Sequence, residues 1–72
     1  MNCRIKMIWD FESETWYTSS QDVPGLVLSA PNCDALIQRV KDAAPEMLEL
    51  NCDYIGPVNY IFEMVRVDSV VA

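Results

Sequence analysis

The feature that most constrains the fold is a run of extended segments and turns over residues 9–26, which closes with Asp22-Val23-Pro24-Gly25. Proline fixes φ at the value required by the second position of a tight turn, and glycine accepts the positive φ that a type II turn requires next. Asp22 is expected to stabilise the same turn, because an aspartate can bind its own downstream backbone. The segment therefore predicts strand, turn, strand, sharp turn, strand, with Asp22, Pro24 and Gly25 as structural turn residues.

Extended segments flank a single helical region. Period-two alternation predicts a strand over 3–9, and residues rich in β-branched and aromatic types predict a second over 15–20. A short third strand is expected over 26–30, and the longest strand candidate is 58–67. The close spacing of the first three strands favours an antiparallel meander. We therefore expect an α+β domain with the element order β-β-β-α-β.

The helical region begins after Pro31. Asn32 is a favourable N-cap, and the helix is expected to reach about Leu50, with Asn51 as a left-handed cap. Apolar residues recur at helical spacing, namely Cys33, Leu36, Ile37, Val40, Ala44, Met47 and Leu48. Pro45 interrupts the segment without changing the register of this stripe. One kinked helix is the favoured interpretation, and two short helices, with Pro45 starting the second, are the alternative.

One helix can cover only one face of a four-stranded sheet. The uncovered face and the last strand would then present apolar side chains, namely Ile8, Tyr17, Val27, Ile61, Val65 and Val67. Scattered apolar residues on a surface are normal, whereas a contiguous patch more often marks an interface. We favour an interface. A domain of this size is marginally stable alone, so self-association into a dimer or tetramer is expected.

Composition limits the classes of partner and the compartment. The net charge is −6, and the chain has no histidine. This acidity argues against direct nucleic-acid binding and would suit a small basic protein as partner. A role of the negative charge in solubility alone explains the acidity equally well. Cys3, Cys33 and Cys52 form no metal or disulfide pattern and predict reduced thiols in a cytoplasmic protein. No apolar segment predicts a signal peptide or a membrane span.

The sequence predicts that the chain is not an enzyme. Serine and cysteine have no histidine to activate them, and the two glycines form no phosphate-binding loop, so we expect no catalytic residue and no cofactor. Asp10, Glu12 and Glu14 are the one dense polar group, and carboxylates at such spacing can bind Mg²⁺ or Ca²⁺. Three carboxylates in a hairpin turn are more often simply solvated. We therefore predict no metal site, and keep a metal or small-ligand site there as an alternative.

The motifs in this order resemble the HicB-like antitoxin superfamily, most closely its short single-domain bacterial members of unknown function. The resemblance covers about residues 3–51 and lies in a W-D-x-E turn, an aromatic strand, the sequence S-x-D-V-P-G-L and a P-E-x-L helix end. The matching positions are Trp9, Asp10, Glu12, Trp16, Ser20, Asp22, Val23, Pro24, Gly25, Leu26, Leu36, Ile37, Val40, Pro45, Glu46, Leu48 and Asn51.

The resemblance implies a truncated RNase H-like fold without a catalytic centre. It implies strand order 3-2-1-4, with the last strand parallel to the first. Full-length relatives block a small basic RNA-cleaving toxin and usually add a C-terminal DNA-binding domain. This chain stops just beyond its last strand, so a single domain over 1–72 without a separate DNA-binding domain is expected. The favoured function is a non-enzymatic, antitoxin-like interaction module that occludes a small basic protein; the alternative is an orphan structural homo-oligomer.

Overall fold

The computed structural model describes residues 1–68, and its elements follow the predicted order. They are β1 (Asn2–Asp10), β2 (Thr15–Ser19), β3 (Ser29–Ala30), α1 (Cys33–Cys52) and β4 (Asn59–Val65). The α+β class and the β-β-β-α-β order are therefore confirmed. No helix within residues 1–68 is both long and apolar enough to cross a membrane.

The strands form one four-stranded mixed sheet in the order β3-β2-β1-β4. β1 is antiparallel to β2, and β2 is antiparallel to β3, as expected for a meander. β4 returns through α1 and pairs in parallel with β1, so that Asn2 lies opposite Asn59 and Ile8 lies opposite Val65. The strand order and the parallel direction of the last strand agree with the resemblance.

The hydrophobic core lies between α1 and one face of the sheet. In β1, Cys3, Ile5 and Met7 are buried whereas Arg4 and Lys6 are exposed, as the period-two pattern predicts. The buried residues form two adjoining clusters, the first of Cys3, Ile5, Val23, Leu26, Val40, Ala44 and Leu48, the second of Met7, Trp16, Ala30 and Leu36. The helical stripe and the strand alternation therefore meet as expected.

A single helix spans the whole predicted region and continues through Pro45. The Asn32 side chain accepts a hydrogen bond from the Ala35 N–H at 2.8 Å, which confirms the predicted N-cap. The predicted end of the helix was wrong. The helix continues to Cys52, and Asp53 rather than Asn51 adopts the left-handed conformation, with φ of 52°.

The third strand is shorter than predicted, because a side chain replaces part of its pairing with β2. The Thr18 hydroxyl donates to the Leu26 carbonyl at 3.2 Å and accepts from the Leu28 N–H at 3.0 Å. The Thr18 N–H donates to the Leu28 carbonyl at 3.0 Å. The segment from Leu26 to Leu28 is thus tied to β2 without forming a regular ladder, which leaves only Ser29–Ala30 as strand.

Candidate functional site

The face of the sheet opposite α1 has no helix over it, and we call it the open face. In the three longest strands, the register assigns to it Asn2, Arg4, Lys6, Ile8 and Asp10 of β1, Thr15, Tyr17 and Ser19 of β2, and Asn59, Ile61, Glu63 and Val65 of β4. Directly opposite residues in a ladder place their side chains on the same face. The open face therefore runs across the three longest strands.

Three of the predicted interface residues form a continuous row on this face. Ile8 lies opposite Tyr17 on one side and opposite Val65 on the other. Tyr17 is 40% exposed and Val65 37% exposed, and Ile8 is half-buried. Large apolar side chains at neighbouring positions create a contiguous apolar surface, which is the feature expected of an interface.

The other predicted interface residues lie around this row. Ile61 is on the same face of β4, opposite Arg4, and is 39% exposed. Val27 precedes β3 and Val67 follows β4, so neither belongs to a strand, and both are largely exposed. The structure therefore brings Ile8, Tyr17 and Val65 together, with Ile61 farther along the same strand.

Charged side chains separate Ile61 from the apolar row. Glu63 lies between Ile61 and Val65 and forms an ion pair with Arg4, with 2.9 Å between Nη1 and Oε1. Both side chains are substantially exposed, so water weakens the attraction and the pair contributes little to stability. The ion pair does, however, neutralise Glu63, which is the only charged residue within β4.

The S-x-D part of the motif continues the pairing of β1 beyond the end of β2. The Ser20 hydroxyl donates to the Arg4 carbonyl at 2.7 Å, and the Asp22 carboxylate accepts from the Arg4 N–H at 2.7 Å. Asp22 was expected to bind its own downstream backbone, and instead it satisfies a donor in β1. The two side chains occupy the hydrogen-bonding positions that the backbone of β2 would otherwise have supplied.

The Pro24-Gly25 turn is docked against the end of α1. Gly25 has φ of 81°, and the Leu26 N–H donates to the Val23 carbonyl at 3.3 Å, which are the features of a type II turn. The Asn51 amide donates to the Pro24 carbonyl at 3.0 Å. Asn51 therefore connects the helix to the turn, which sequence reasoning missed by treating it as a cap.

The carboxylates of the acidic turn do not converge in the structure. The Asp10 carboxylate accepts hydrogen bonds from the Ser13 hydroxyl at 2.8 Å and from the Glu12 N–H at 3.0 Å. These bonds, that of Ser13 above all, lower the pKa of Asp10. Glu12 and Glu14 are exposed. Within residues 1–68, no three acidic or thiol side chains converge as metal ligands would. Asp10 thus stabilises the turn itself.

An arginine packs against the two tryptophans. Trp9 and Trp16 lie opposite each other in the ladder, with ring centroids 5.3 Å apart. The guanidinium carbon of Arg66 lies 4.6 Å from the Trp9 ring centroid, which is a cation–π contact. The Trp9 indole N–H is buried, and no residue among 1–68 accepts a hydrogen bond from it. Local sequence patterns do not reveal this contact, because Arg66 lies 57 residues from Trp9 along the chain.

Cys3 and Cys33 lack activating groups. Burial raises the pKa of Cys3 and of Cys33, so both remain protonated thiols. Thiolates are the reactive form, and no neighbouring side-chain cation lowers either pKa. Cys52 is exposed at the last position of α1. We therefore take the open face as the candidate binding site within residues 1–68.

Fold and surface together define a small two-layer α+β domain with a bare sheet face. The chain belongs to the family described as a domain of unknown function (DUF1902), which matches residues 2–69. It is also similar to a hypothetical protein of the extremely thermophilic bacterium Thermus thermophilus, known from its crystal structure. The two chains share 30% identity, with a TM-score of 0.83, over 97% of this chain and 100% of that one. No curated protein matches the chain significantly.

Proposed function

We propose that this domain is a non-enzymatic, homo-oligomeric interaction module that acts as a HicB-like antitoxin, occluding a small basic protein in the cytoplasm. The observation that carries the proposal is the open face, where Ile8, Tyr17 and Val65 form an apolar row that no element of residues 1–68 covers. Apolar residues surrounded by polar ones are the usual anatomy of a protein interface.

The charge around this row favours a basic partner. Asp10 and the acidic turn lie at one end of the open face, and Asp22 lies in the loop beside its other end. Two cations, Arg4 and Lys6, lie between these ends, and Arg4 is paired with Glu63. The net charge of the chain is −6. An acidic rim attracts a basic protein over several ångströms and raises the rate of encounter, while the apolar centre supplies affinity.

Family membership supports the antitoxin part of the proposal. The family is associated with HicB, and the motif residues of the chain resemble those of HicB-like antitoxins. In this structure, Ser20, Asp22 and Asn51 of that motif serve the scaffold, since each binds backbone of another segment. These motif residues therefore stabilise the fold, and the choice of partner would depend on the open face.

A pulldown with matched variants tests the proposal. The chain is expressed with an affinity tag in its native cell, and bound proteins are identified by mass spectrometry. Val65→Lys places a cation in the apolar row, whereas Leu50→Lys makes the same charge change at an exposed position of α1. A small basic protein should bind the unmodified chain and Leu50→Lys, should be lost from Val65→Lys, and should dissociate with salt.

Two results would contradict the proposal. One is recovery of the chain alone under conditions in which it is folded and abundant. The other is a partner that binds Val65→Lys and the unmodified chain equally well, since this would place the contact elsewhere.

A further inference from the structure

The two edges of the sheet differ in a way that bears on self-association. β3 forms one edge and consists of only two residues, with Pro31 directly after it. β4 forms the other edge and is seven residues long. Short edge strands and proline prevent unwanted pairing, whereas a long unprotected edge is a template for another strand. Of the two, only β4 offers such a template.

The backbone groups on the outer edge of β4 can be assigned. The Asn59 N–H donates to the Met1 carbonyl at 2.8 Å, so the N–H and C=O of Asn59 point towards β1. Successive residues in a strand alternate in direction, and Tyr60, Phe62 and Met64 therefore direct their N–H and C=O groups outwards. Within residues 1–68, no strand pairs with this edge.

Charge does not protect this edge either. Glu63 is the only charged residue in β4, and its ion pair with Arg4 compensates it from within the same subunit. Charged side chains are one means by which edge strands avoid pairing. In a chain of net charge −6, this edge is a place where two copies can approach with little repulsion.

From these observations we propose that two copies of the chain pair antiparallel through β4, about a two-fold axis at Phe62. This specifies the homo-oligomeric part of the proposed function and rests on it. In this register Phe62 faces Phe62 of the second copy, and Tyr60 faces its Met64. Every outward donor and acceptor of these residues then finds a partner, because outward-facing residues lie opposite one another.

Alternative registers are less favourable. Shifting the axis to Glu63 would reduce the overlap of the two β4 strands to five residues, 61–65, and lose part of the ladder. The axis at Phe62 overlaps all seven residues of β4 and places Ile61 opposite Glu63 of the second copy. A two-fold axis perpendicular to the sheet keeps both helices on one side, so the two open faces merge into one surface.

The first test removes a single outward donor. Met64→Pro removes the backbone N–H of residue 64, which the dimer uses but pairing with β1 does not. The control Met64→Thr also replaces the methionine side chain but keeps this N–H. Sedimentation should show a dimer for the unmodified chain and for Met64→Thr. For Met64→Pro, we expect a dissociation constant at least about tenfold higher, because two symmetric hydrogen bonds are lost.

A second test examines the register and does not depend on the proline variant folding. In a Cys52→Ser background, Phe62→Cys should form an intersubunit disulfide under mild oxidation, because directly opposite residues lie about 5.5 Å apart between Cα atoms. Tyr60→Cys is the matched control. Its counterpart lies about four residues away along the strand, roughly 14 Å, which is too far for a disulfide.

The outcomes separate this inference from the proposed function. A chain that is monomeric at micromolar concentration overturns both the pairing and the homo-oligomeric part of the function. An oligomer whose dissociation constant is the same for Met64→Pro and Met64→Thr, or equal crosslinking by the two cysteine variants, overturns the pairing through β4 alone.

Discussion

The two faces of the sheet both carry large apolar side chains, but only one of them is explained by the fold of a single chain. On the covered face, Ile5 and Leu36 are fully buried between the sheet and α1. On the open face, Tyr17, Ile61 and Val65 remain 40%, 39% and 37% exposed. Burial of apolar surface stabilises the first set directly, and the second set can contribute in this way only when another surface covers it.

Alanine substitutions on the two faces should give the largest difference. Leu36→Ala leaves a cavity in a fully buried position, and we expect a loss of about 2–5 kcal/mol in the free energy of unfolding. Ile61→Ala on the open face should cost about 1 kcal/mol or less in the monomer. Urea unfolding at low protein concentration measures both. Equal losses would mean that the open face is part of the folding core.

The Pro24-Gly25 turn, which is docked against the end of α1, should be the next most sensitive feature. Gly25→Ala should destabilise the domain by about 1–2 kcal/mol, because φ of 81° is unfavourable for alanine. A Cβ atom there would also lie 3.3 Å from the Asn51 amide nitrogen. Comparing Gly25→Ala in the native and Asn51→Ala backgrounds separates the two causes. A loss that disappears in the Asn51→Ala background would assign the effect to crowding rather than to φ.

Sequence patterns predicted the covered face because the relevant signals are local. Alternation in β1 and helical spacing around Leu36 each depend on residues within a few positions of one another. Pro24 and Gly25 were likewise identified from the requirements of one turn. The strand order came from the resemblance, since nothing in the periodicity of β4 specifies which strand it joins.

The contacts that the sequence did not reveal are distant along the chain. Asp22 binds the backbone of Arg4, 18 residues away, and Asn51 binds Pro24, 27 residues away. Aspartate and asparagine both have plausible local roles in turns and caps, so local reasoning assigned them there. Only the topology shows that their partners lie in other elements. The same limit applies to the open face, since no segment within residues 1–68 covers it.

Asp22 allows a test of this distant contact, with a smaller expected effect. Asp22→Ala removes the acceptor for the Arg4 N–H, and we expect a loss of about 1 kcal/mol, since water can replace part of the bond at this exposed position. Asp22→Asn retains an acceptor oxygen and should lose less. Thermal unfolding of the two variants compares them. Equal losses would show that the negative charge, rather than the hydrogen bond, matters at this position.

The smallest effect is expected at Asp10, at the end of the open face. Hydrogen bonds from Ser13 and Glu12 hold the pKa of Asp10 below its ordinary value of 3.8. The stabilisation from the ionised carboxylate is therefore fully present above that pH and is lost as the pH falls through the lowered pKa. Asp10→Asn should lower the unfolding temperature at neutral pH, and the difference should vanish in acid, where the native side chain is also uncharged.

The sign of this effect distinguishes a turn from a metal site. A cluster of carboxylates awaiting a cation predicts the opposite change, because like charges repel and removing one would stabilise the free protein. Melting temperatures of the native chain and Asp10→Asn across this pH range, with and without added Mg²⁺, decide between the two. A more stable Asp10→Asn variant, or stabilisation of the native chain alone by Mg²⁺, would contradict the assignment of Asp10 to the turn.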